Sequence, residues 1–170
     1  GIGSIKEVQI KKGVPKAGDV VIVLGGPAML IGLGGGSASS TKKTNDNADL
    51  DFASVQRSNP EMQRRAQQVL DKFNERSSKN PITFIHDVGA GGISNAIPEL
   101  AKDTDLGVEI NLENIDSADQ TMSPMELWCN ESQERYVFTI PTKKLRALED
   151  ICRKERCPFS IAGYLTEDKI

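Results

Sequence analysis

The chain has 170 residues, of which 38% are hydrophobic and 26% are charged. This length and composition suit one compact domain with its own core, so residues 1–170 are predicted to form a single domain. The formal net charge of -3, from 21 Lys and Arg against 24 Asp and Glu, argues against a dedicated nucleic-acid binder. No apolar run reaches the ~18 residues of a membrane-spanning helix, so neither nucleic acid nor a membrane is expected as a partner.

The chain ends and the cysteines indicate the setting of this domain. The sequence does not begin with Met and has no signal-peptide pattern, so we expect a domain excised from a longer protein. The three cysteines form no C-x-x-C pair and there is only one histidine, which disfavours a zinc site. Reduced thiols in a cytoplasmic protein are the simplest interpretation.

Strand-like and helix-like segments alternate along the chain, which predicts an α/β or α+β domain. Short apolar or alternating runs predict strands at 19–24, 82–85, 107–112, 135–140 and 159–165. The continuous apolarity of the first run predicts a strand that is covered on both faces.

Four helices are predicted between these strands. The first begins either at Ser58, with Glu61 closing a capping box, or at Asn59, with Pro60 in the first helical position. Its apolar stripe is predicted to consist of Met62, Ala66, Val69, Leu70 and Phe73. A second helix follows the glycine-rich turn at 89–92, a third begins at Ser123 with capping-box spacing, and a fourth begins at Thr142.

A glycine-rich segment, GLGGGSASS at 32–40, follows the first strand. Consecutive glycines let backbone N–H groups converge on one point, so Gly34, Gly35, Gly36 and Ser37 are candidates for binding a phosphate. The segment matches neither a Walker A loop nor a dinucleotide fingerprint. A flexible turn without a ligand is the alternative interpretation.

Asp87 follows the second predicted strand and precedes a glycine turn and a helix. Ligand contacts in α/β folds often lie at such strand ends, and a carboxylate there suits Mg²⁺, which prefers oxygen ligands. Alternatively, Asp87 caps the turn through its own backbone. The neighbouring His86 is the only histidine, and a lone histidine is more often structural than catalytic.

The run from Asn130 to Arg135 is entirely polar and lies between a predicted helix and an apolar strand. Such a junction suits a polar substrate or, equally, a solvated turn. Cys129 has no second histidine to orient a base, which disfavours thiol catalysis. Gln56 stands just before the first predicted helix, where its amide can face a ligand at the helix N-terminus.

Four segments together resemble phosphoribosylformylglycinamidine synthase in its large single-chain form. They are GPAMLIGLGGGSASS at 26–40, DFASVQRSNPEM at 51–62, FIHDVGAGGISN at 84–95 and WCNESQERY at 128–136. They are long, follow the family's order and span most of the chain. The resemblance places this chain in the C-terminal lobe of the first AIR-synthetase-like half, which implies an α+β fold with a mixed sheet and packed helices.

The resemblance also implies an activity. The family makes formylglycinamidine ribonucleotide from formylglycinamide ribonucleotide (FGAR), glutamine and ATP in purine biosynthesis. ATP is the co-substrate that phosphorylates the amide oxygen of FGAR, and ammonia from a separate glutaminase domain then attacks the activated carbon. The chain is thus expected to be part of an ATP-dependent ligase and glutamine amidotransferase.

By position, the resemblance makes Gln56 a substrate-binding glutamine and Asp87 a Mg²⁺ ligand. It places Glu131, Ser132 and Gln133 in the segment that binds FGAR, while the phosphate role of Gly34–Ser37 stays open. The family's catalytic histidine and most ATP contacts belong to the preceding lobe. We therefore expect the isolated chain to be inactive and its partners to be that lobe, the second half and the glutaminase domain.

Two other functions remain open from the sequence. One is a domain of another ATP-dependent synthetase or kinase of the AIR synthetase superfamily, which the pairing of 131–135 with 54–56 disfavours. The other is a non-catalytic structural domain, in which Gln56, Asp87 and 131–133 are turn and cap residues.

Overall fold

The computed structural model describes residues 1–7, 10–33, 59–75 and 80–168. Its regular elements, in chain order, are β1 (Val20–Gly25), α1 (Pro60–Glu75), β2 (Phe84–Asp87), α2 (Ile93–Thr104), β3 (Gly107–Ile110), α3 (Pro124–Cys129), β4 (Arg135–Ile140), α4 (Leu145–Glu155) and β5 (Phe159–Thr166). Short 3₁₀ turns at Leu112–Asn114 and Thr142–Lys144 precede α3 and α4, respectively.

The five strands form one sheet in the order β2-β4-β1-β5-β3. All four neighbouring pairs are antiparallel, so the predicted α+β class is confirmed, whereas the sheet is not mixed as expected. The only parallel contact among the described residues is an isolated bridge between Ala28 and Ser117. No two neighbours in this sheet are consecutive among the described strands, so every ladder pairs segments that are distant in the chain.

The sheet is buried on both faces, because β1 sends alternate side chains into two apolar clusters. Val20, Ile22 and Leu24 pack under α1 and α4, whereas Val21 and Val23 pack on the side of α2. All of β1 is buried, as the continuous apolar run predicts. The domain therefore has three layers, with helices on each side of the sheet.

The local signals in the sequence are largely confirmed. The helix α1 begins after Asn59, with Pro60 in the first helical position, which was the second of the two predicted starts. The Asn59 side chain accepts the Met62 N–H at 3.1 Å. The capping box of α3 is formed by Ser123 and Glu126. The helix expected from Thr142 begins as a 3₁₀ turn and becomes α-helical only at Leu145. None of the helices in the described ranges has the length and apolarity needed to cross a bilayer.

Candidate functional site at the loop junction

Three chain segments meet at one edge of the sheet because of strand direction. Strands β1 and β2 both run antiparallel to β4, with Gly25 opposite Arg135 and Asp87 opposite Tyr136. The segments that leave β1 and β2 therefore lie beside the segment that enters β4. We call this meeting place of residues 25–32, 87–92 and 130–135 the loop junction.

Backbone hydrogen bonds join these segments directly. The Gly26 N–H donates to the Glu134 carbonyl at 3.2 Å, and the Val88 N–H donates to the Arg135 carbonyl at 3.0 Å. Contact is equally close at the start of α2, where a Cβ added to Gly92 would collide with the Asn130 carbonyl. Gly92 also has a φ of 64°, so both its backbone conformation and its surroundings require glycine.

Glu131 connects all three segments of the loop junction. Its N–H donates to the Ile31 carbonyl at 2.8 Å, and its Oε1 accepts the Gly91 N–H at 2.8 Å. Its side chain also lies against Gly32, where an added Cβ would be 2.6 Å from Oε2. Because Oε1 already accepts a backbone N–H, Glu131 acts as a structural link whatever else it binds.

Ser132 is fully buried, and its hydroxyl is already hydrogen-bonded. The hydroxyl oxygen accepts the Met29 N–H at 2.9 Å, and the O–H donates to Asn130 Oδ1 at 2.7 Å. Gln133, by contrast, is only partly buried. Of these two predicted substrate-binding residues, Gln133 is therefore the one whose side chain can reach a ligand from the surface.

Arg135 lies beneath this segment with only 2% of its surface exposed. Its Nη1 donates to Asn130 Oδ1 at 3.0 Å, whereas Nε and Nη2 have no partner among the described residues. Burial lowers the pKa of Arg135 to about 10, an effect that the nearby Asp116 carboxylate opposes. The guanidinium is therefore still charged at neutral pH.

Asp87 ends β2 with 80% of its side chain exposed. His86 lies between two carboxylates, with Nδ1 3.8 Å from Asp87 Oδ1 and Nε2 3.6 Å from Glu99 Oε2. The described residues contain no group of three or more metal-ligating side chains. Asp87 fits a Mg²⁺ ion that takes its other ligands from phosphate and water, a common arrangement for this cation.

The other predicted site residues, Gln56 and Gly34–Ser37, lie outside the described residues. The described chain resumes at Asn59, whose N–H donates to Glu134 Oε1 at 3.1 Å. Sequence reasoning singled out the polar run from Asn130 to Arg135, but it missed that Asn130 and Arg135 are buried and bonded to each other. The available signal was an arginine that opens the apolar strand Arg135–Ile140, although arginine side chains are usually exposed.

A separate apolar groove of about 850 Å³ lies between α2, β3 and α3. It is lined by residues that include Pro98, Leu106, Val108, Met125 and Trp128. None of the predicted site residues that the structure describes lines it, so the groove and the loop junction are different features of the surface.

The three-layer fold, with polar segments meeting at one end of the central strands, defines a domain of the α+β class. The family described as AIR synthase related protein, C-terminal domain, matches residues 16–170, and the chain belongs to this family. The five antiparallel strands with helices packed on them agree with that membership.

Solved structures show the same fold. The T. maritima protein PurL complexed with FGAR is 23% identical, with a TM-score of 0.78 over 95% of this chain and 26% of that one. Thiamine-monophosphate kinase from Stenotrophomonas maltophilia K279a is 9% identical, with a TM-score of 0.60 over 92% and 50% of the two chains. A chain of the HypE-HypF complex is 14% identical, with a TM-score of 0.61 over 92% and 49%. This chain thus spans about a quarter of PurL.

Proposed function

We propose that this chain is the substrate- and Mg²⁺-binding domain of a phosphoribosylformylglycinamidine synthase of the large single-chain type. In that role it would help convert FGAR, glutamine and ATP to formylglycinamidine ribonucleotide in purine biosynthesis. The observation that carries the proposal is the convergence of Asp87 and Glu131–Gln133 at one sheet edge. The similarity to a PurL that was solved with FGAR supports it.

Each residue at the loop junction has a distinct part in this proposal. Gln133 offers its partly exposed amide to the polar groups of FGAR, as an amide can both donate and accept. Ser132 contributes by fixing the segment, because its hydroxyl is bonded to Met29 and Asn130. Glu131 holds the segment with Oε1, and its second oxygen is left to accept a donor from the substrate.

Asp87 is the proposed Mg²⁺ ligand. When bound, the cation would neutralise phosphate charge and hold a phosphate oxygen near the loop junction. The exposed Asp87 carboxylate suits this role because it can join a shared coordination shell. Gln56 and the Gly34–Ser37 segment are proposed as further contacts to FGAR and to phosphate, respectively.

The remaining parts of the reaction are assigned to chain regions beyond these 170 residues. The preceding lobe, the second half of the synthetase and the glutaminase domain would supply the ATP contacts, the catalytic histidine and ammonia. We therefore propose that this chain forms one wall of an active site in the cytoplasm and is inactive alone. Turnover of FGAR by the purified 170-residue chain would contradict that last statement.

The test is an NMR titration of the chain with FGAR, with and without Mg²⁺, because chemical shifts detect even millimolar binding. Shifts are expected at Gln133, Glu131 and Asp87. Gln133→Ala should weaken them, whereas Gln120→Ala, which changes an exposed glutamine outside the loop junction, should not. Asp87→Ala should remove only the Mg²⁺-dependent part, and Asp150→Ala on α4 is its matched control.

Thiamine monophosphate serves as the comparison ligand for the kinase alternative. If thiamine monophosphate shifts the loop junction and FGAR does not, a kinase of the superfamily replaces the proposed synthase. If FGAR produces no shifts here, the titration is repeated with the preceding lobe restored. If FGAR produces no chemical-shift changes in that larger protein either, the proposed function is wrong.

A further inference from the structure

The Arg135 side chain is buried beneath the loop junction, where a charged group is unusual. It is 2% exposed, and it lies two residues before Val137 on β4, so both face the α2 side of the sheet. Burying a guanidinium costs free energy, and two of its nitrogens have no partner among the described residues. An apolar side chain would fill this space at lower cost, so packing alone does not explain the arginine.

The one hydrogen bond that the Arg135 side chain makes among the described residues goes to Asn130, whose side chain has several roles. Asn130 is fully buried, and its Nδ2 donates to the carbonyls of Glu126 at 2.8 Å and Leu127 at 2.9 Å. These carbonyls belong to the last turn of α3, and the Glu126 carbonyl also accepts the Asn130 backbone N–H at 3.1 Å. The Asn130 Oδ1 accepts hydrogen bonds from Arg135 Nη1 and from the Ser132 hydroxyl. Asn130 thus joins the end of α3 to the start of β4.

From Asn130 the hydrogen bonds continue into the loop junction. Ser132 accepts the Met29 N–H, which attaches the segment after β1. Next to it, Glu131 bonds Ile31 of that same segment and also Gly91, which attaches the segment after β2. A charged donor strengthens the bond to Asn130 Oδ1, and hydrogen bonds in such a series reinforce one another.

We propose that Arg135 and Asn130 are a pair of positioning residues that hold Glu131–Gln133 in place at the loop junction. The pair touches no ligand itself, and its importance for FGAR binding rests on the function proposed above. The positioning itself is independent of that function, because it concerns the order of the segment in the free protein.

Three backbone amides report on the pair: those of Met29, Glu131 and Gly91, each of which donates a hydrogen bond that depends on this segment. Their hydrogen exchange is measured by NMR in Arg135→Met, which keeps the bulk and loses the charge, and in Arg135→Lys, which keeps the charge. We expect Arg135→Met to lose protection at all three amides by about tenfold or more and Arg135→Lys to lose less. The ladder amides of β1 should be unchanged.

Arg146→Met is the matched control, because Arg146 is exposed on α4. If the three amides keep their protection in Arg135→Met, or if Met protects them as well as Lys does, Arg135 only fills space and the proposal is wrong. A second measurement needs no variant. In the unsubstituted protein, the Nη1 group of Arg135 should rotate slowly and give resolved signals, and free rotation would also overturn the proposal.

An FGAR titration of the same variants separates this proposal from the proposed function. If protection is lost and FGAR binding weakens in parallel, both proposals are supported. If protection is lost while FGAR shifts are unchanged, the positioning pair is supported and the assignment of 131–133 to the substrate is contradicted. If protection is kept while FGAR binding changes, the positioning pair is contradicted.

Discussion

The two helical layers cover the same sheet but bury different kinds of side chain. Under α1 and α4 the buried side chains are apolar or thiol, as in Phe73 and Leu148, and charged groups stay at the surface. On the other side, α2 and α3 cover apolar residues together with the buried Asn130, Ser132 and Arg135. Buried polar groups cost free energy unless they are bonded, but they also fix geometry. We infer that the first layer stabilises the fold and that the second holds the loop junction.

The largest expected effect tests the apolar layer. Phe73→Ala removes a side chain that is 1% exposed between α1 and the sheet, and it should lower the free energy of unfolding by about 3–5 kcal/mol. Urea denaturation followed by circular dichroism measures this loss. Met125→Ala is the control, because that side chain is 71% exposed and should cost little. A loss below about 1 kcal/mol at Phe73 would contradict the role assigned to this layer.

The next effect tests the close contact within the polar layer. Gly92→Ala combines a positive φ with a collision against the Asn130 carbonyl, whereas Gly18, at φ 86°, has no atom within 4 Å of an added Cβ. Gly18→Ala should cost about 1–2 kcal/mol for its backbone conformation alone. Gly92→Ala should cost about 1–3 kcal/mol more, because the neighbouring backbone must move. Equal losses in denaturation would mean that the segments of the loop junction are not tightly packed.

A smaller effect tests the helix that leads into Asn130. Ser123→Ala removes the cap of α3 and should cost about 1 kcal/mol. Hydrogen bonds from the Ser123 N–H and hydroxyl lower the pKa of Glu126, so its contribution to stability is present above its unfolded pKa and is lost as the pH falls through the lowered value. In Ser123→Ala the pKa of Glu126 should rise, which an NMR titration of the carboxyl groups measures. A pKa that does not move would contradict the capping box.

Local features of this fold were predictable because their causes are local. The apolar run of β1, the stripe of α1 and the cap at Ser123 each depend on residues that are near one another in sequence. The strand order was not predictable, because it places β4 between β1 and β2 through contacts that are distant in the chain. The expected mixed sheet shows this limit, since strand direction depends on those same distant pairings.

In the candidate site, too, residue types were predictable from the sequence, whereas contacts that depend on the folded chain were not. The polar run at 130–135 and Asp87 stood out by residue type, and the structure brings their segments together. The bond between Asn130 and Arg135 did not stand out, because it requires the chain to turn at Glu134, a non-glycine residue with a φ of 58°. That turn sends Arg135 inward, against the usual preference of arginine for the surface.

The smallest effect concerns the charges on the outside of the apolar layer. Hydrogen bonds from Arg64 and Arg65 lower the pKa of Glu61 to about 2, but this carboxylate lies at the surface. Replacing both arginines by glutamine should raise that pKa in an NMR titration, and salt should weaken the original shift. A lowered carboxyl pKa adds stability at higher pH that is lost as the pH falls through about 2, yet exposed pairs contribute little. We therefore expect no measurable change in unfolding at neutral pH. A clear loss there would mean that surface charge, as well as apolar burial, stabilises this layer.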